Sequence, residues 1–138
     1  MNEQNTISVL LVEPDKYPRT VTIADTLEAM QNLVGGDIEE YMPFEDEVAI
    51  ICNEEGKVNG LPLNRAVYVD EDKSKIADII CGKFFLVYAP IESENFLSLP
   101  PELSEKYREK FKYPERFSRV NNEFVAVPFK PKAKEMER

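Results

Sequence analysis

A chain of 138 residues with 43% apolar content and a formal net charge of −9 has room for one ordinary domain with its own core, but not for two. Histidine is absent, which removes Ser-His-Asp and Cys-His triads, histidine-liganded zinc and a histidine proton shuttle. The acidic balance argues against non-specific binding of the nucleic-acid backbone, and no apolar run is long enough for a membrane-spanning helix.

In chain order, the polar start Met1–Asn5 lacks the basic, apolar, small-residue order of a signal peptide, which predicts a cytoplasmic protein. Ser8–Val12 reads as a buried strand and Thr20–Ile23 as a half-exposed one, joined as a hairpin through Asp15-Lys16-Tyr17-Pro18. A helix follows, with Asp25 as N-cap, Glu28 completing a capping box and Gly35-Gly36 closing it. Leu27, Met30, Leu33 and Val34 recur at helical spacing and form its core face. Asp37–Pro43 is expected to be a strand with Ile38 and Met42 on one side.

Val48–Cys52 is an apolar run of the length of a buried strand. Asn53–Lys57 and Asn59-Gly60 supply two reversals. Ala66–Val69 and Ile76–Ile80 flank a turn at Asp70–Lys73, and Gly82 precedes the strand Phe84–Ala89. A second helix is expected from Leu99 or Pro100 to Phe111, with proline at its first positions and Leu99, Leu103, Tyr107 and Phe111 on one face. Arg116–Val120 and Phe124–Phe129 bracket Asn121-Asn122, a hairpin turn, and residues 130–138 read as a charged tail. The ordered core is thus about 7–129 of a single domain spanning 1–138. The fold class is α+β, a mixed or mainly antiparallel β-sheet with two helices packed against it, because the strand-strand-helix-strand-strand opening excludes a regular doubly wound fold.

Charge is spread unevenly. Residues 1–50 carry −9, residues 51–100 carry −3 and residues 101–138 carry +3. Cys52 and Cys81 both sit in apolar runs and read as buried free thiols, although two adjacent strands would also bring them into disulfide range.

Two residue sets are candidates for function. In the loop set, Asn53, Asn59, Asn64 and Arg65 cluster where the chain leaves a core strand. Arg65 suits forked recognition of a phosphate or carboxylate, and the asparagines suit amide or base edges. The competing structural role is the commoner one: such asparagines turn the chain or bond unpaired backbone groups. In the acidic set, Asp37, Glu39, Glu40, Glu45, Asp46 and Glu47 suit calcium or magnesium, mimicry of nucleic acid, or a basic protein partner. Charge on an outer sheet face or a protected edge strand is the ordinary explanation. No calcium-loop pattern of alternating Asp or Asn with a Gly is present, so a dedicated calcium site is not expected; no metal ligand and no cofactor is assigned, and metal binding by the acidic cluster stays open. Neither a nucleophilic nor an acid–base constellation is visible, so the reading leans away from an enzyme.

The joint pattern of Gly35-Gly36-Asp37-Ile38-Glu39, Asn53-Glu54-Glu55-Gly56-Lys57 and Asn59-Gly60-Leu61-Pro62-Leu63-Asn64-Arg65, with Phe96–Pro100 before the second helix, resembles the family called domain of unknown function 3846. The likeness covers about residues 7 to 128, leaving the acidic turn Tyr68–Lys75 aside. The resemblance implies a small α+β domain from a phage or a mobile element of gut Firmicutes, and it implies no catalytic residue. The expectation is therefore an accessory protein that binds a host protein through its acidic surface. The alternative is a small-molecule or nucleotide-binding domain that holds a small anionic ligand at the Asn59–Arg65 loop. Homo-oligomerisation stays open.

Overall fold

Two runs that are apolar at every position, Val48–Cys52 and Phe84–Tyr88, set the architecture. Side chains on a strand alternate between its two faces, so a strand that is apolar at every position must be covered on both. The structure, a computed structural model, describes residues 5–70, 72, 73 and 75–131. The tail expected over 130–138 lies outside them apart from Lys130 and Pro131. The elements in chain order are β1 (Thr6–Val12), β2 (Arg19–Ala24), α1 (Leu27–Val34), β3 (Ile38–Tyr41), β4 (Val48–Asn53), β5 (Leu63–Tyr68), β6 (Ile76–Cys81), β7 (Phe84–Tyr88), α2 (Pro101–Lys110), β8 (Glu115–Val120) and β9 (Glu123–Pro128).

Five strands form one sheet in the order β2-β1-β7-β4-β3, while β5–β6 and β8–β9 form two separate two-stranded sheets. Every pairing is antiparallel, as expected for the α+β class. The central strands β7 and β4 send Val48, Ile50, Phe84 and Leu86 to one face, where Leu99, Tyr107 and Phe111 of the α2 region and Val67 and Ile80 of the β5–β6 hairpin cover them. Ala49, Ile51, Phe85 and Val87 go to the other face, under Met30 and Val34 of α1. Each such large side chain contributes about 1.5–3 kcal/mol by leaving water.

The expected face of the second helix is borne out: Leu99, Tyr107 and Phe111 are buried and Leu103 packs against the same cluster. Phe84 meets Phe111 edge to face with ring centroids 5.5 Å apart. Pro101 opens the helix as a first-turn proline, where the missing N–H costs nothing. Asn121 and Asn122 both take positive φ, 54° and 67°, which is the backbone that a two-residue hairpin turn requires.

Two local expectations shift. The N-cap of α1 is Thr26, whose hydroxyl accepts from Ala29 N–H at 3.0 Å. Asp25 lies one residue before the cap: its N–H donates to Asn5 O at 2.9 Å and prolongs the β1–β2 ladder through it, so the helix starts after Thr26. In β3, Ile38 packs under α1 and Tyr41 packs against the opposite cluster. Met42 lies past the strand end and is exposed, so it is Glu40 that shares the face of Ile38. Gly35 closes α1 at φ 84°, with its N–H bonded to Gln31 O.

The reversal between β4 and β5 is wound tightly against the end of β6. A Cβ on Gly56 would lie 2.8 Å from Cys81 O, a backbone atom that cannot swing aside. Gly56→Ala should therefore lower unfolding free energy by about 1–3 kcal/mol in urea titration, with fold retained. A change within about 0.5 kcal/mol would show that this turn can relax away from β6.

Candidate functional site

The loop set separates by depth. Asn53, at the end of β4, is buried: its amide donates to Val34 O at 3.2 Å and its carbonyl oxygen accepts from Glu55 N–H at 2.8 Å. It ties the end of α1 to the turn that follows β4. Asn59 sits in that turn, exposed, with its backbone N–H on Glu55 O. Asn64 is buried in β5 and its amide donates to Val12 O at 3.0 Å and Gly82 O at 2.8 Å, joining the β5–β6 hairpin to β1 and to the β6–β7 turn.

Arg65 has no exposed surface at all. Its Nε donates to Phe111 O at 3.0 Å, its Nη1 to Asn64 Oδ1 at 2.8 Å, and its Nη2 to Lys16 O at 2.8 Å. The guanidinium fork is thus filled by this chain's own oxygens, from the β1–β2 turn, from β5 and from the end of α2. Burial pushes its pKa down to about 10, against the opposing pull of Glu115 and Asp15. Glu115 is itself raised above the ordinary carboxylate value by burial, although it accepts the Ala66 N–H at 2.9 Å. The structure brings Asn64 and Arg65 into one network and leaves Asn59 outside it.

The acidic set divides too. Asp46 accepts from Lys106 Nζ at 2.6 Å and from Tyr107 Oη at 2.8 Å, which fastens the β3–β4 loop to α2. Glu47 accepts the Ile91 N–H at 2.8 Å, and Asp37 accepts from the Gln31 amide at 3.2 Å. Glu39, Glu40 and Glu45 are exposed. Glu39 pairs with Cys52 and Glu40 with Ile51 in the ladder, so the two point to opposite faces of the sheet. No group of three or more His, Cys, Asp or Glu arranged to hold a metal occurs among the described residues.

Both cysteines are free and buried. Burial first, then the charges of Glu39 and Asp78, push the Cys52 thiol up to about 11, and burial raises Cys81 as well. A thiol held protonated is a poor nucleophile, so these side chains act as small apolar fillers.

A cleft of about 920 Å³ lies between the β5–β6 and β8–β9 hairpins, a place that sequence reasoning missed. It is lined by Ile76–Ile79 of β6 and Glu123–Ala126 of β9, together with Lys57, Tyr68, Lys73 and Lys75. Lys57 Nζ is 2.5 Å from Asp78 Oδ1, and the Lys73 ammonium lies 5.9 Å from the Tyr68 ring centroid. The only hint in the sequence was the pair of strands around the Asp70–Lys73 turn. Nothing local reports that β9 comes to stand opposite them.

Two outcomes test these assignments. Arg65→Lys keeps the charge and loses the fork, and should cost about 2–4 kcal/mol of unfolding free energy; an unchanged urea midpoint would mean that the carbonyls find other donors. The bonds from Lys106 and Tyr107 hold the Asp46 carboxyl below its ordinary value of 3.8. A carboxyl lowered on folding adds stability above its unfolded pKa and loses it as pH falls through that value toward the folded one. Asp46→Asn should accordingly flatten the loss of stability below about pH 4. A stability–pH curve parallel to that of the unaltered protein would rule this out.

No curated protein and no solved structure matches the chain. A family model described as Domain of unknown function (DUF3846) matches residues 7–112, which takes in β1 through α2 and stops before the β8–β9 hairpin. That match covers more than half of the sequence, and the protein belongs to the DUF3846 family.

Proposed function

We propose that the protein is a non-enzymatic accessory protein of a phage or mobile element, which docks a basic host protein on the acidic face built by α1 and the edge strand β3. One observation carries this reading. Residues 20–56 hold ten carboxylates and no Lys or Arg, and they fold into β2, α1, β3 and β4. The segment therefore supplies both edges of the central sheet and the helix over one of its faces. Asp25, Glu28, Asp37 and Glu40 are exposed there. Arg19, at the rim of the same face, is paired with Glu13 at 3.4 Å. The cations Lys106, Arg108 and Lys110 belong to α2, on the opposite side of the sheet.

A field of one sign over one face steers a partner of the other sign and sets its orientation. Capture of a small ligand by the Asn59–Arg65 loop has less behind it. Arg65 and Asn64 are already bonded inward, which leaves only Asn59 of that loop set at the surface. Glu40 and Asp37 serve the docking reading better than Asp46, whose loss would loosen α2.

The test compares the unaltered protein with Asp25→Asn, Glu28→Gln, Asp37→Asn, Glu40→Gln combined, both used as bait in extracts of the native host. The expected result is a basic partner whose affinity for the unaltered protein falls steeply with salt and drops about tenfold or more for the variant. Identical partners at identical affinity for both proteins would overturn the proposal, as would a partner whose binding ignores salt.

A further inference from the structure

Successive residues of a strand point to opposite faces, so a wall to which four residues in a row contribute is the edge of the strand. The cleft between the two hairpins has two such walls, Ile76–Ile79 of β6 and Glu123–Ala126 of β9. Among the described residues, each strand belongs to a two-stranded sheet and is paired on one side only. On their other side the hairpins touch, where Ala66 N–H of β5 donates to Glu115 of β8. The edges of β6 and β9 thus bound the gap, with Tyr68 of β5 beside them, and neither edge is paired among the described residues.

The edges differ in how they are finished. On β6, the Ile79 N–H is taken up by the Asp78 carboxylate at 2.8 Å, and Asp78 is held by Lys57. On β9, the sequence Phe124-Val125-Ala126-Val127 carries no charge, the kind of edge that proteins ordinarily break with lysine, proline or a bulge. The Phe129 N–H donates to Pro114 O at 2.9 Å. Antiparallel pairs alternate between exchanging hydrogen bonds and not doing so. Counting back along the register, Arg116 and Val127 exchange bonds while Phe117 and Ala126 do not. The Ala126 N–H and C=O therefore point away from β8, into the cleft. Pro128, which has no N–H, falls on another outward position of the same edge.

The size of the gap selects the occupant. Four strand residues run about 13 Å, and one extended chain in a sheet fills a cross-section of roughly 5 by 10 Å. A cleft of about 920 Å³ along that length holds one extended chain with its side chains, and not two. Its charge selects further: Lys57 and Asp78 neutralise one another, which leaves Lys73 and Lys75 against Glu123, an excess of one positive charge in the lining. Ile76, Ala77, Phe124 and Val125 supply apolar surface between them.

We propose that this cleft binds an extended segment of a partner protein by strand addition, the segment alternating acidic and apolar side chains. The partner's main chain completes the ladder on the open edge of β9, its carboxylates meet the lysines, and its apolar side chains cover Ile76 and Phe124. The site is separate from the acidic face and requires nothing of it.

The probe is a fluorescein-labelled acetyl-(Glu-Val)₄-amide peptide, titrated by anisotropy with the full chain. Two controls are the Lys-Val peptide of equal length and the Glu-Val peptide with its two central valines replaced by proline. The Glu-Val peptide should bind in a salt-sensitive way, and both controls should bind about tenfold or more weakly. Lys73→Glu combined with Lys75→Glu should give a similar loss. Ala126→Pro deletes one outward donor without touching the β8–β9 ladder, and should also weaken binding while leaving thermal unfolding in place. If that variant fails to fold, the lysine pair decides. Absence of binding, equal binding of the proline-interrupted peptide, or binding unaffected by the lysine reversals would each overturn strand addition at this cleft.

Discussion

The buried guanidinium of Arg65 is the fixed point around which the separate parts of this molecule are assembled. Taking a cation out of water costs several kcal/mol unless each donor finds an acceptor. Here the acceptors are main-chain carbonyls of Lys16 and Phe111 and the side chain of Asn64. They come from the β1–β2 turn, the C-terminal end of α2 and β5, three segments that share no strand pairing. Asn64 extends the same network to β1 and the β6–β7 turn. The position of the β5–β6 hairpin on the central sheet is thus set by directional bonds in addition to apolar contact. Apolar contact alone would permit it to slide.

The central sheet was legible in the sequence because its physics is local. Val48–Cys52 and Phe84–Tyr88 are apolar at every position, which fixes both strand identity and burial on two faces. Leu99, Leu103, Tyr107 and Phe111 recur every four residues, and Asn121-Asn122 has the one backbone that a tight hairpin needs. The loop set was legible only as to type. Whether Asn64 and Arg65 face water or the interior depends on acceptors at Val12, Lys16 and Phe111, which are 46 to 52 residues away. No spacing rule reaches that far. The cap falls on Thr26 in place of Asp25 for a related reason: the β1–β2 ladder runs on through Asp25 to Asn5, a pairing that the local capping pattern does not register.

Charge and edge protection are resolved differently at the two ends of the fold. The edge strand β3 carries Glu39 and Glu40 on opposite faces, so neither face of that edge offers an apolar landing for another strand. On β6, Asp78 caps its own neighbour's N–H. By contrast the Phe124–Val127 stretch of β9 has neither device, Pro128 breaking the edge only at its end, and Val127 at 55% and Phe124 at 42% exposure remain beside its backbone. An isolated two-stranded hairpin is marginal in water. Its bond to the rest of the fold at Glu115, which accepts the Ala66 N–H, lies at one end of the hairpin, and the Arg116–Phe129 stack, 4.1 Å from guanidinium to ring centroid, ties its two strands together at that same end.

The boundary of the family match bears on what that hairpin is for. Residues 7–112 contain the whole central sheet, both helices and the Arg65 network up to Phe111, so every contact that assembles the core lies within the matched region. Glu115 and β9 lie beyond it. One wall of the cleft, β6, therefore comes from the family domain, and the other comes from the segment that follows. The α1 face is complete within residues 20–56. A surface built wholly inside the family domain can serve a task common to its members, whereas the cleft exists only where a hairpin of this kind follows α2. The two surfaces also lie on different parts of the fold, one without any lysine or arginine between residues 20 and 56 and the other lined by three lysines and two carboxylates. A basic partner on the α1 face and an acidic strand between β6 and β9 would contact different residues, so the test of either surface is independent of the other.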